Sequence, residues 1–216
     1  MSTRPTIAQC QQIFWTIAGI RYFCPLSRDK GVEGKLLEKK LGIPTSSACL
    51  DCSDGEVKIV PLKRLTRKSL YGAAGDFVPK ETVAITMANI ENVLQTPYED
   101  SRLCRKIDNV LFVSYFRDPA DPDYITFMNC INFNHAFIPL HATIKADYET
   151  IQEKIAETGS ISGKIGKMIQ MRTKGAGGDA PKTRAFYFKK PFLKEIGIFY
   201  AGPPTVSETK EPEQQI

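Results

Sequence analysis

Residues 50–62, "LDCSDGEVKIVPL", contain the feature that decides the fold. Val57 and Ile59 predict a strand entering an apolar core, because β-branched residues favour strands. Successive side chains of a strand point to opposite faces, so Glu56 and Lys58 share the face opposite Val57 and Ile59. A carboxylate and an ammonium on one face of a half-buried strand indicate either a solvent-exposed edge strand or a site for a charged ligand.

Acidic residues cluster around the start of this strand. Asp51, Asp54 and Glu56 lie within six residues, and Glu38 lies on a predicted helix just upstream. Converging carboxylates repel each other unless a cation lies between them, and carboxylate oxygens suit Mg²⁺, which keeps its other positions for water and phosphate. Because Lys58 on the same face can orient a water or neutralise a phosphate, the pattern predicts metal-assisted phosphodiester hydrolysis.

The composition favours a globular protein without a membrane span. The chain has 216 residues, of which 42% are hydrophobic and 25% charged, so we expect a single domain over residues 1–202 and a disordered polar tail over 203–216. No apolar run reaches the eighteen residues of a membrane helix, and the N-terminus does not resemble a secretory signal. We expect a cytoplasmic, intracellular protein.

The six cysteines do not predict a disulfide scaffold in a chain of this length. Cys49 and Cys52 form a CxxC pair, but the two histidines, His135 and His141, lie some eighty residues further along. A structural zinc site requires a second close pair of ligands. Reduced thiols in or near the core are therefore the expectation.

The basic residues are concentrated in two segments of a chain with net charge +5. Residues 58–68 hold five basic and no acidic residues, and residues 160–194 hold nine basic residues and one Asp. This distribution indicates a polyanionic partner, with chance clustering of surface lysines as the alternative. The stretch "GAGGDAP" at 175–181 lacks the spacing of a phosphate-binding P-loop, so no nucleotide cofactor is expected.

The hydrophobic periodicity predicts a mixture of helices and strands, which is typical of an α/β or α+β fold. The predicted helices are 6–20, 29–41, 98–107, 145–157 and 191–200, and the predicted strands are 56–62, 82–87, 109–116, 124–133, 167–174 and 185–190.

Four motifs in order resemble those of the MutH endonucleases and the related GATC-specific type II restriction enzymes. In that family a "KG-x-x-G-x-x-LE-x-x-LG" helix precedes a "D…GVELK" strand, and residues 29–42, "DKGVEGKLLEKKLG", precede the 50–62 stretch in the same way. "RKIDNVLFVSYF", "MIQMRTKG" and "AFYFKKPF" resemble three further stretches. The resemblance covers about residues 28–200 and implies an α/β restriction-endonuclease-like PD-(D/E)xK fold, a mixed central sheet flanked by helices.

The resemblance also implies catalytic roles for individual residues. Asp51 and Glu56 fall on the metal-binding positions, with Glu38 assisting from the helix. Asp54 competes for the first position, and Asp51 is preferred because its "LDC" resembles the family's "PDF". Lys58 completes the E-x-K pair and would position the attacking water.

A second set of positions concerns DNA. Lys106 falls on an additional active-site lysine, which would contact the phosphate. The positions implied to contact DNA are Lys30, Arg172, Lys174, Tyr187 and Lys189.

The function implied is that of a Mg²⁺-dependent endonuclease cleaving double-stranded DNA at unmethylated GATC. We prefer a type II restriction enzyme, because the first 28 residues do not resemble the repair enzyme. The alternatives are a MutH-type mismatch-repair nickase that acts with an activator, and a DNA-binding module without catalytic activity. A homodimer is one option for its assembly.

Overall fold

The computed structural model describes residues 4–29, 31–174 and 183–201, and within them the predicted α/β architecture is confirmed. A mixed sheet is flanked by helices, and a smaller sheet packs beside it. The helices are α1 (Ile7–Ile17), α2 (Val32–Lys40), α3 (Ile90–Gln95), α4 (Arg102–Ile107), α5 (Ile138–Thr158) and α6 (Lys190–Glu195), with a 3₁₀ turn at Tyr98–Asp100. The strands are β1 (Arg21–Phe23), β2 (Glu56–Arg64), β3 (Phe77–Pro79), β4 (Val83–Ala88), β5 (Val110–Phe116), β6 (Tyr124–Phe133), β7 (Ile169–Lys174) and β8 (Thr183–Phe188).

The larger sheet has the strand order β1-β6-β5-β2-β3 and the smaller one β4-β8-β7. Strands β2 and β5 run parallel, and the other neighbours in both sheets are antiparallel. The parallel pair lies near the middle of the larger sheet, where both of its faces are covered, as is usual for parallel strands.

Two apolar cores lie on opposite faces of the larger sheet. Successive side chains of β2 and β5 point alternately into one core and the other. Val60 and Leu62 belong to the core shared with the smaller sheet, α5 and α6. Val57 belongs to the core shared with α1 and α2, and Ile59 packs against it. The predicted division of β2 into two faces is therefore confirmed, and Glu56 shares a face with Val60 and Leu62.

The predicted elements agree with the observed ones except at several ends and in the shortest pieces. Helix α5 begins at Ile138, seven residues before the predicted start, because Pro139 suits a first helical turn. The predicted helix 98–107 is divided at Ser101, whose hydroxyl caps α4 by accepting a hydrogen bond from the Cys104 backbone N–H at 3.0 Å. The last helix ends at Glu195, ahead of Gly197 with its positive φ of 85°.

Three short elements were not predicted: β1, β3 and α3. The first two have three residues each, too few for an alternating pattern to be recognised. None of the described helices is both long and apolar enough to span a lipid bilayer. The predicted loop at 175–181 and the predicted tail at 203–216 lie outside the described residues.

Gly55, immediately before β2, allows a close backbone approach. A Cβ atom there would lie 2.4 Å from the Asn109 carbonyl oxygen and 2.6 Å from Cγ1 of Ile7. The same Asn109 carbonyl accepts the Glu56 backbone N–H at 2.9 Å. We expect Gly55→Ala to lower the free energy of unfolding by about 2 kcal/mol, the usual scale of overpacking, measured by urea denaturation.

The matched control is Gly34→Ala on α2, where the nearest atom to an added Cβ is 4.0 Å away. Alanine in a helix favours folding by about 0.5–1 kcal/mol over glycine, so this variant should be as stable as the parent or more so. Equal stability of the two variants would contradict the close approach at Gly55.

Candidate active site

Glu56, at the first position of β2, is the centre of a buried charge cluster. Its side chain is 2% exposed, and its Oε1 atom accepts hydrogen bonds from two ammonium groups. The Lys58 Nζ atom donates at 2.7 Å and the Lys106 Nζ atom at 2.6 Å. Two charge-assisted hydrogen bonds to one oxygen hold the carboxylate in a fixed orientation.

The parallel pairing of β2 with β5 explains why Lys106 reaches Glu56 across fifty residues of sequence. Glu56 is in register with Val110, the first residue of β5. Helix α4 ends at Ile107, three residues before that point, so its last turn lies beside the start of β2. Lys106 is buried there, and Leu103 and Ile107 anchor the helix in the core shared with the smaller sheet.

The second oxygen of Glu56 has no hydrogen-bond partner among the described residues although it is buried. An unpaired buried acceptor costs free energy unless a cation or water reaches it. The side chains of Asp51, Glu38 and Glu56 carry three carboxylates against the two ammonium groups of Lys58 and Lys106. A donor set of oxygens with a net negative charge fits a hard divalent cation such as Mg²⁺.

Asp51 and Asp54 have different environments, which bears on the choice between them. The Asp51 carboxylate is half-buried at the start of β2, where Oδ2 accepts the Val57 backbone N–H at 3.0 Å. The Asp54 carboxylate instead accepts the Ile7 backbone N–H at 2.8 Å and so faces the first turn of α1. This geometry favours Asp51 as the carboxylate beside Glu56.

Glu38 lies on α2, across the mouth of the site from β2. Burial raises the pKa of its carboxyl group, and the nearby charges of Asp51 and Glu56 raise it further, while Lys58 opposes them. In the part of the chain that the structure describes, no three His, Cys, Asp or Glu side chains are grouped closely enough to hold a metal ion. The three carboxylates are therefore neighbours that do not yet converge on one point.

A cleft of about 380 Å³, here called the recognition cleft, lies between α2 and β2 on one side and the smaller sheet on the other. Glu38 and Lys58 line it together with Arg172 and Tyr187. The Arg172 guanidinium stacks on the Tyr187 ring, 4.1 Å from its centroid, and donates to the Thr82 hydroxyl at 3.1 Å. The structure thus brings two predicted DNA-contacting residues into the same cleft as the charge cluster.

Tyr187 points away from its apolar neighbours, as the alternation predicts. Phe186 packs against Tyr148, and Phe188 packs against Phe112 in the core. Tyr187 is largely buried, with Arg172 covering its ring, and it lines the recognition cleft.

Of the other predicted DNA-contacting residues, only Lys189 has a described side chain, and it does not line the recognition cleft. The Lys189 ammonium donates to the Gly166 carbonyl at 2.7 Å, so it already has a partner within the protein. Lys30 lies outside the described residues, and only the backbone of Lys174, at the end of β7, is described. Their roles on DNA stay predictions.

The sequence interpretation gave no role to the N-terminal residues, although they hold the loop that carries Asp51. Arg4 donates to the Leu50 carbonyl at 2.7 Å, and the Ser53 backbone N–H donates to the Pro5 carbonyl at 3.0 Å. The buried thiols of Cys10 and Cys52 are in contact at 3.5 Å. Such contacts join positions more than forty residues apart, so no local pattern in the sequence indicates them.

Comparison with known proteins confirms the resemblance that the motifs predict. The family model "DNA mismatch repair enzyme MutH" matches residues 46–135, a range that includes Asp51, Glu56, Lys58 and Lys106. The DNA mismatch repair protein MutH of Shewanella woodyi is 28% identical over 193 residues, covering 79% of this chain and 77% of that protein. The MutH protein of Vibrio cholerae is 26% identical over 200 residues, covering 83% and 84%.

Among solved structures, the chain is similar to the restriction endonuclease MvaI in complex with its cognate DNA substrate. The TM-score is 0.42 and the sequence identity 13%, with 88% of this chain and 95% of that chain covered. A likeness this distant has no bearing on function.

The raised pKa of Glu38 predicts how the stability of the metal-free protein depends on pH. The folded chain binds a proton more tightly at Glu38 than the unfolded chain does, so the free energy of unfolding falls as the pH rises above the unfolded carboxyl pKa. Glu38→Gln removes this penalty. We expect the variant to be more stable than the parent at pH 7 in EDTA, and the difference to vanish near pH 4, in urea denaturation at both pH values.

Glu153→Gln serves as the control, because Glu153 is exposed on α5. Its stability should follow the parent at both pH values. A Glu38→Gln variant that is less stable than the parent at pH 7 would contradict the unfavourable burial of this carboxylate.

Proposed function

We propose that this MutH-like chain is a Mg²⁺-dependent endonuclease that cleaves double-stranded DNA. The observation that carries the proposal is the Glu56 carboxylate: one oxygen is held by Lys58 and Lys106, and the other is buried without a partner. The adjoining recognition cleft, lined by Arg172 and Tyr187, supports a polyanionic substrate. The similarity to MutH proteins supports the same class of reaction.

In this proposal Asp51 and Glu56 hold the metal ion, and Glu38 completes the site from α2. When bound, the ion stabilises the charge that develops on the attacking and leaving oxygens of the phosphodiester. Lys58, which lines the recognition cleft, would orient the attacking water toward the phosphate. Lys106, bonded to the same oxygen of Glu56, fixes the carboxylate and adds positive charge beside the phosphate.

The base-contacting residues are Arg172, Tyr187 and Lys174 in this proposal, and GATC is the site they select. Arg is the usual bidentate partner of guanine in the major groove. The stacking of Arg172 on Tyr187 limits the directions that its guanidinium can take, which suits a base contact better than a mobile phosphate contact. Tyr187 would lie against the adenine amine and leave no space for an N6-methyl group.

The comparisons support a MutH-type mismatch-repair role better than the restriction enzyme that we preferred from the sequence. The relatives in Shewanella woodyi and Vibrio cholerae are both mismatch-repair proteins, and they are similar to four fifths of this chain. We therefore propose a nickase that acts with a MutL-type activator, and keep the restriction enzyme as the second candidate. The complete Asp51, Glu56 and Lys58 set supports an active enzyme over a binding module.

The deciding experiment is digestion of a supercoiled plasmid that contains GATC sites, with Mg²⁺ or with EDTA. We expect nicked circles with Mg²⁺, faster in the presence of a MutL-type activator, and none with EDTA. Plasmid methylated on both adenines of GATC should resist cutting. Rapid linearisation without activator would favour the restriction enzyme, and an intact plasmid under every condition would refute the endonuclease.

Lys58→Ala should lower the cleavage rate by about a hundredfold or more, because it removes a group that acts on the developing transition state. Binding of duplex DNA should stay within a few-fold of the parent, because the base-contacting residues are untouched. Lys154→Ala, on the exposed side of α5, is the control and should cleave like the parent. Single-turnover rates measure the effect on cleavage, and equilibrium binding measures the effect on affinity. A cleavage rate within tenfold of the parent would show that Lys58 takes no part in the chemical step.

Asp51→Asn and Asp54→Asn form a matched pair that tests the choice of metal ligand. Asp51→Asn should abolish Mg²⁺-dependent cleavage, whereas Asp54→Asn keeps an oxygen that can accept the Ile7 N–H and should retain most activity. The same single-turnover assay decides between them. Loss of activity in Asp54→Asn alone would reverse the assignment.

A further inference from the structure

A second cavity adjoins the charge cluster in addition to the recognition cleft. A cavity of about 270 Å³ is lined by Glu56, Lys58, Lys106 and Arg102, with Met87 of β4 at its edge. Lys58 and Ala84 line this cavity and the recognition cleft alike. Lys58 of the charge cluster therefore borders two openings, and only the recognition cleft contains the predicted base-contacting residues Arg172 and Tyr187.

The second opening continues as a groove along the end of β4. Met87 also lines two neighbouring cavities of about 480 and 540 Å³, which extend over Ala88 and Asn89. Arg102 of α4 borders the first of these and Arg184 of β8 the second. We call this surface, defined by Met87, Ala88, Asn89, Arg102 and Arg184, the β4 groove.

Arg102 supplies an unpaired positive charge to the β4 groove. Its side chain is exposed and makes no hydrogen bond or ion pair with any described residue. It lies four residues before Lys106 on α4, and residues four apart share a helix face with their Cβ atoms about 5–6 Å apart. Arg102 and Lys106 therefore line one cavity from the same helix, and Arg102 has no carboxylate partner among the described residues.

The acidic residues near the groove do not supply that missing partner. Glu56 is already bonded to Lys58 and Lys106. Asp100 lines the cavity of about 480 Å³ together with Arg102, and Glu91 lines the one of about 540 Å³, but neither carboxylate forms an ion pair with Arg102 among the described residues. Arg184 lines the cavity of about 540 Å³ and adds a second guanidinium to the groove. An anionic ligand matches this set of donors.

We propose that the β4 groove binds the DNA backbone on the side of the cut opposite the recognition cleft, with Arg102 contacting a phosphate next to the scissile one. The inference rests on the proposed function. A DNA strand whose phosphate reaches Lys58 must continue in both directions, and the two openings provide its two paths. With Cβ atoms about 5–6 Å apart on one helix face, Arg102 and Lys106 are close enough for their long side chains to reach neighbouring phosphates of one strand, and a guanidinium binds phosphate oxygens bidentately.

Arg102→Ala and Arg105→Ala are a matched pair on one helix. Both side chains are exposed and both line the cavity of about 480 Å³, but only Arg102 also lines the cavity that contains the charge cluster. With Ca²⁺ in place of Mg²⁺, we expect Arg102→Ala to weaken binding of a GATC duplex about tenfold and to lower the salt slope by about one. Arg105→Ala should stay within about twofold of the parent. Equal effects of the two variants on binding and salt slope would overturn the proposal.

A second measurement separates a phosphate contact from a change in the fold. Duplexes carry one uncharged methylphosphonate linkage, placed at each of three positions on either side of the scissile phosphate. At one position, on the side away from the bases contacted by Arg172, the neutral linkage should weaken binding by the parent but not by Arg102→Ala. Equal losses for both proteins at every position would refute the Arg102 contact.

The same experiments distinguish failure of this inference from failure of the proposed function. A parent protein that binds the duplexes but never cleaves plasmid DNA with Mg²⁺ would refute the endonuclease, while the position-specific loss would still support the β4 groove as a DNA contact. A parent protein that cleaves, with Arg102→Ala indistinguishable from it in rate and binding, would refute the groove alone.

Discussion

The hydrogen-bonded cluster of Glu56, Lys58 and Lys106 is the interaction on which the rest of the site depends. Burying an ionised carboxylate is expensive, and its attraction to buried partners offsets the cost only when the geometry is good. Removing one partner of such a pair costs about 3–5 kcal/mol, because the other charge stays buried. The cluster also joins the start of β2 to the last turn of α4, so it holds together elements fifty residues apart. Replacing it with apolar side chains would fill the same space, but it would remove the free oxygen of Glu56 that fits a cation.

Strand β2 serves both the candidate site and the fold, because one of its faces is divided into a charged part and an apolar part. Glu56 and Lys58 occupy the first part of that face, next to the recognition cleft and the β4 groove, and Val60 and Leu62 occupy the second part, inside the core. The apolar half fixes the register of the strand, since a slip by one residue would exchange both faces. The charged half is thereby held in place by packing that takes no part in chemistry, which is how a rigid scaffold supports a precise site.

Much of this arrangement could be predicted from the sequence, because alternation and helical periodicity are local properties. The faces of β2, the limits of β6 at Tyr124–Phe133 and the orientation of Tyr187 follow from such patterns. Long-range features did not: the register that brings Lys106 to Glu56 depends on a parallel pairing, and Lys106 was selected only through a family resemblance. For Lys189, the motif implies a DNA contact that stays a prediction, while the hydrogen bond from its ammonium to the Gly166 carbonyl is a longer-range feature that the sequence did not indicate.

The N-terminal segment illustrates why dissimilarity there is a poor guide to biological role. We favoured a restriction enzyme because the first 28 residues did not resemble the repair enzyme. In the structure, however, Arg4 and Pro5 bind the loop that carries Asp51, and Cys10 packs against Cys52 in that loop. Different sequences can meet this requirement, because two of these contacts use backbone carbonyl groups, which every residue provides. Dissimilarity in this segment is therefore compatible with the same support for the Asp51 loop, and it gives no ground for choosing double-strand cleavage over nicking.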